Sequence, residues 1–145
     1  MKNENTKKNN KGFSLVELIV VIAIMAVLMV VLAPAMLRYV EKSRVQKDDT
    51  AVHEVQRAVE LALSDEAVAD SIPNTGATVT VSNGAISANS VSGTALMDEV
   101  GKTVTASAVK LSSKTYKGYA YTIQIIATSS GADGFTVSGS WNGHN

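Results

Sequence analysis

In the stretch KGFSLVELIVVIAIMAVLMVVLAPAML, residues 11 to 37, a single carboxylate, Glu17, stands at the edge of an apolar run. A carboxylate within hydrocarbon costs roughly 2.5–3.5 kcal/mol on insertion scales, so such a group normally has a partner or a function. One explanation is incidental: so near the end of the run, the side chain reaches back toward water. The other is chemical. Were the chain cut after Gly12, Phe13 would become an N-terminus, with a positive amine about one helical turn from the Glu17 carboxylate. Between neighbouring molecules, amine and carboxylate would neutralise one another where water is scarce. Because each unpaired charge is costly there, the pairing would fix the axial register of packed helices.

Other chemistry finds few residues to work with. The chain has no cysteine, which excludes disulfides and thiolate chemistry, and only two histidines, His53 and His144. A structural zinc site normally takes four Cys or His ligands, so no metal site is expected and His53 reads as a helix-surface residue. Asp133, in SSGADGF, is the one carboxylate of its turn, whereas calcium loops gather several oxygens. No nucleophile–base pair, phosphate-cradling glycine loop or carboxylate dyad is recognisable, so no enzymatic activity is expected and no cofactor is implied. Nothing in the charge distribution of the sequence suggests a nucleic-acid footprint, which would need a basic face or stripe, so no nucleic-acid partner is expected.

The elements that must position Glu17 divide the 145 residues into four parts. Residues 1–12 are polar and carry Lys2, Lys7, Lys8 and Lys11 against Glu4. Residues 13–37 form the apolar helix, in which Leu18 to Leu37 is uncharged and long enough to cross a hydrocarbon core. It exceeds the apolar core of a cleaved secretory signal, and no A-x-A-like site is needed to end it, because Pro34-Ala35-Met36 runs straight into an amphipathic helix. Residues 38–70 are rich in charge, without Gly or Pro. Their apolar positions Val52, Val55, Val59, Ala62 and Leu63 share a helical face, with Glu54, Arg57 and Glu60 elsewhere as a solvated surface. A continuous helix from Phe13 to Asp70 would rise ~87 Å, an object of use to an assembly rather than to a lone globule.

From residue 71 to 145 the composition turns to Ser, Thr, Gly and Val. TVTVSNGAISA, 78 to 88, alternates around Asn83-Gly84 and predicts a hairpin with a type I′ turn. Residues 94–102 predict a short helix, capped by Thr94 and stopped by Gly101. Strands are expected at 119–127 and 135–141, with a further one at 104–111. Tyr119 and Tyr121 then share a strand face, and with Tyr116 they supply sheet packing or an exposed aromatic surface. The fold class is α+β: a long N-terminal helical spine, its first half membrane-spanning, packed on a small antiparallel head.

KGFSLVELIVVIA, with Gly before Phe and Glu four residues after it, resembles the class III signal of type IV prepilins and pseudopilins. The basic leader, apolar segment, Pro34 and head with a helical spine follow the same plan. The resemblance implies that a membrane-embedded prepilin peptidase cuts after Gly12 and that Phe13 becomes the N-methylated first residue. It makes Glu17 the acid that meets a neighbour's N-terminus and Pro34 the helix-kinking proline, which removes one donor for the Val30 carbonyl. Ala26 departs from the pattern, standing where many relatives place glycine; alanine favours helix by ~1 kcal/mol and argues against melting of this stretch. Major pseudopilins can bind calcium in a loop such as that of Asp133.

The expectation is a structural subunit of a type IV pilus, a homo-oligomeric helical filament built by pilus assembly machinery. Before assembly it would be a single-pass membrane precursor with a cytoplasmic N-terminus, afterwards a cell-surface filament. A pseudopilin of a secretion or DNA-uptake apparatus shares every N-terminal feature. A signal-anchored binding module is the alternative of another class, and for it Gly12 and Glu17 would be dispensable. Loop charge alone decides little, because Arg38, Lys42, Arg44 and Lys47 oppose the leader lysines from the far end of the span.

Overall fold

The structure, a computed structural model, describes residues 12–89, 93–128 and 134–143. The chain forms two compact units, Met1–Tyr39 and Val40–Asn145. Helix α1 (Leu15–Ala62) contributes to both. In the first unit it has no tertiary partner: Phe13 is 91% exposed, Val30 75%, and the apolar side chains from Leu15 to Leu37 lie open along its length.

The second unit is a helix-on-sheet head. Four antiparallel strands, β1 (Ala77–Ser82), β2 (Ala85–Ala88), β3 (Tyr121–Ala127) and β4 (Phe135–Trp141), lie in the order β2-β1-β3-β4. Alternation in ATVTVS and YTIQIIA places one side chain in two on the same face. Ala77, Val79 and Val81 on β1 lie opposite Ile125, Ile123 and Tyr121 on β3, and all six are buried. Onto this face comes the α1 stripe of Val52, Val55, Ala58, Val59 and Ala62. Two further helices, α2 (Glu66–Ser71) and α3 (Gly93–Thr103), close the core with Val68, Leu96 and Val100. Glycine is required where β3 crowds its neighbours. Gly76 has φ +85°, and a Cβ there would sit 2.3 Å from the Ile125 carbonyl oxygen.

The expected α+β class and helical spine are present, as are the hairpin and the strand at 135–141. Five details differ. The spine ends at Ala62, and the chain turns through Leu63–Asp65 before α2. Asp65 accounts for the break: its carboxylate accepts the N–H of Ala67 at 2.9 Å and starts a new helix. The hairpin turn is not type I′, because only Gly84 has positive φ (+78°) and Asn83 does not. The Gly84 N–H is directed out of the hairpin, to the Val109 carbonyl. Helix α3 runs through Gly101 to Thr103 with Thr94 inside it, since burial of Leu96 and Val100 carries the helix past an exposed glycine. Residues 104–111 form no strand. A 3-10 turn at Ala106–Ala108 follows α3, and Val109 and Leu111 anchor the segment by burial alone. Finally, β3 begins at Tyr121, so Tyr119 and Tyr121 do not share a strand face; a turn from Tyr116 to Tyr119 precedes it, with Gly118 at φ +97°.

Candidate functional site

Two groups of residues in the first unit stand out. Gly12 and Phe13 precede the helix in exposed, non-helical chain. A Cβ at Gly12 would meet none of the described residues within 4 Å, so none of them requires glycine there. Ser14 stands just before α1, and its backbone N–H donates to Glu17 Oε2 at 3.0 Å. Glu17 thus occupies the third position of the first turn, where a carboxylate satisfies an otherwise orphaned donor and complements the helix dipole. Ser14 was overlooked in the sequence, although Ser-x-x-Glu before an apolar run is the signal of this arrangement. Pro34 lies inside α1 without ending it. Beyond Glu17 the surface is apolar on all sides, including a shallow hollow lined by Val20, Ala23, Ile24, Val27 and Leu28. Each such side chain is worth ~1.5–3 kcal/mol when removed from water, so this helix has to be covered by something.

Within the head, three acids of α1 hold the loop that leads into β3, as well as the end of β4. Asp48, 0% exposed, accepts the N–H of Ser112 at 2.9 Å, that of Ser113 at 2.8 Å, and the Ser112 hydroxyl at 3.2 Å. Burial pushes its carboxyl up, but the hydroxyl and backbone donors of Ser113 and Ser112 together outweigh that and hold it below the usual 3.8. Glu41 accepts the backbone N–H groups of Lys114 and Thr115. Asp49 accepts the Trp141 indole N–H at 3.3 Å. Trp141 in turn stacks on Tyr116 at 3.9 Å and meets the edge of Tyr121, whose hydroxyl donates to Gln56. Burial and then the Asp49 charge push both tyrosine hydroxyls up. In the sequence Glu41, Asp48 and Asp49 are interspersed among Lys42, Arg44 and Lys47. Their partners lie more than sixty residues away, and no local pattern announces them.

His53 is exposed and touches the edge of Tyr121 at 6.0 Å. Tyr121 is 3% exposed, which makes it a packing residue rather than part of an open aromatic surface. Asp133 and His144 lie outside the described residues, as does most of the leader. Among the described residues no three His, Asp or Glu side chains gather as a metal would require.

Residues 7–33 match the family described as the prokaryotic N-terminal methylation motif. The chain is also 32% identical, over 126 residues, to prepilin peptidase-dependent protein A of Clostridium perfringens (strain 13 / Type A), an alignment covering 85% of this chain and 83% of the relative. The chain belongs to the type IV pilin and pseudopilin family. No solved structure matches it significantly. An apolar helix near the N-terminus also fits a membrane-anchored precursor.

Proposed function

We propose that this protein is a structural subunit of a type IV pilus, cleaved between Gly12 and Phe13, methylated on Phe13 and polymerised through α1. The observation that carries the reading is the exposed apolar surface of Phe13 and of α1 from Leu15 to Leu37, led by one carboxylate. Lipid covers that surface while the subunit is stored, and neighbouring helices cover it in the filament. Both surroundings are apolar, so the transfer gains little from burial; packing and charge pairing select the final arrangement. The new Phe13 amine and a neighbour's Glu17 form that pair. The same carboxylate that holds the Ser14 N–H within one molecule then gains a stronger, charged donor.

Gly12 suits this role because its demand is external. With open space around it, its missing side chain serves the approach of a peptidase to the scissile bond. That the relative is described as prepilin peptidase-dependent supports the same step here. Family members are structural subunits, and no enzymatic role is assigned to this chain. A pseudopilus uses the same N-terminal machinery, and filament length on cells separates the two. Co-expression with a prepilin peptidase tests the processing step. The wild-type chain is expected to lose its leader, while Gly12→Val keeps it with an unchanged head. Equal processing of both would defeat the assignment.

A further inference from the structure

The cations that follow the span make no ion pair with the acids that alternate with them. Glu41, Asp48 and Asp49 are turned to backbone and indole N–H groups of the head. Among the described residues the only ion pair is Lys102 with Glu99, on α3. Lys42, Arg44 and Lys47 are therefore left exposed and without a carboxylate partner. The bonds from the Lys114 and Thr115 N–H groups to Glu41 bring one more exposed cation, Lys114, to this end of the head from about seventy residues further along the chain, and exposed Lys117 follows three residues later in the same turn.

We propose that these five cations form a collar that docks on the anionic headgroups of membrane phospholipids while the apolar helix is stored in the bilayer. The proposal rests on the membrane-anchored reading of α1 and goes beyond it. Chain connectivity favours lipid as the occupant. Lys42 follows Leu37 by five residues, a connection of at most ~18 Å even when fully extended. The headgroup layer is itself ~5–8 Å deep, and charge is felt about 8 Å beyond it at physiological salt. A clustered set of Lys and Arg immediately beyond a span is the pattern that binds acidic lipid. Exposed acids such as Glu54, Glu60 and Asp98 give a second copy of the chain a complementary surface, but nothing holds a second copy near the collar before assembly. The collar would set the depth of the stored subunit, and its contacts must be broken when the subunit leaves the membrane.

The test uses the full chain in vesicles of phosphatidylcholine alone or mixed with phosphatidylglycerol. A membrane-impermeant amine reagent is applied and each lysine is read by mass spectrometry. Lys42, Lys47, Lys114 and Lys117 are expected to label about fivefold more slowly in the anionic vesicles, the change equivalent to ~1 kcal/mol per surface-proximal lysine. High salt should abolish the difference, and Lys102, paired with Glu99, should show none. In the double variant Lys42→Gln/Lys114→Gln, protection of Lys47 and Lys117 should fall, with Trp141 fluorescence reporting an intact head. Equal labelling in the two lipids overturns the proposal. Slowing that appears in neutral vesicles and grows with protein density also overturns it, in favour of contacts between copies. If the protein fails to float with neutral vesicles, it is the membrane reading of α1 that has failed, a result distinct from either.

Discussion

Replacing Asp48 isolates the device that ties the loop before β3 to the spine. Asp48→Ala leaves the N–H of Ser113, a residue 0% exposed, without its acceptor, and removes both bonds from Ser112. An orphaned buried donor costs ~1–3 kcal/mol and a bond to a charged acceptor contributes ~1.5–3 kcal/mol. Water can reach Ser112, which is exposed, so the expected loss is about 2–4 kcal/mol rather than the full sum. That is a large part of the ~5–15 kcal/mol of an ordinary domain. Asp48→Asn keeps one acceptor oxygen but turns an amide toward donors, and should lose about half as much. The assay is urea unfolding of the full chain in mild detergent, followed by the fluorescence of Trp141, the one tryptophan, which stacks against Tyr116. The pH dependence supplies a second check. Because the folded carboxyl lies below 3.8, its contribution is complete above that value and is lost as pH falls through the lower folded one. Wild type should therefore lose more stability than Asp48→Asn on acidification below pH ~4. An Asp48→Ala chain within ~0.5 kcal/mol of wild type, or Asp48→Asn with undiminished acid sensitivity, would refute the reasoning.

Further perturbations probe other parts of the account. Gly139→Ala places a Cβ 2.1 Å from the Tyr121 hydroxyl; the ring must shift, the bond to Gln56 is lost, and calorimetry should show destabilisation of about 1–3 kcal/mol. Leu96→Ala, at a fully buried position of α3, should cost about 2–5 kcal/mol in the same urea assay. Pro34→Ala restores a donor to the Val30 carbonyl and should raise amide protection around residues 31–37 in hydrogen exchange, without changing the head. Glu17→Gln should leave head unfolding unchanged and the leader still cleaved, while the yield of sheared filament falls sharply; an undiminished yield would remove Glu17 from assembly.

The parts legible in the sequence were those with short-range grammar. An apolar run, a two-residue turn with glycine and a stripe at helical spacing announced the long apolar helix, the β1–β2 hairpin and the α1 face on the sheet. Local rules failed where tertiary contacts competed. Gly101 did not stop α3 because Val100 is buried beside it, and Val104–Leu111, with strand-like residues, found no strand to pair with. Asp65 ended the spine although the charged stretch around it showed no glycine or proline. The bond between the Ser14 N–H and Glu17 at the start of α1 has a local signature, Ser-x-x-Glu before an apolar run. The Asp48 latch has none, since its partners are distant and backbone N–H groups leave no trace in composition.

The most direct measurement is the N-terminal peptide of protein sheared from the surface of cells that express this chain, determined by mass spectrometry. The account predicts a peptide beginning at N-methylated Phe13. A chain retaining Met1 to Gly12 and recovered only from membranes would contradict it, leaving an anchored module in which Glu17 does no more than cap its own helix.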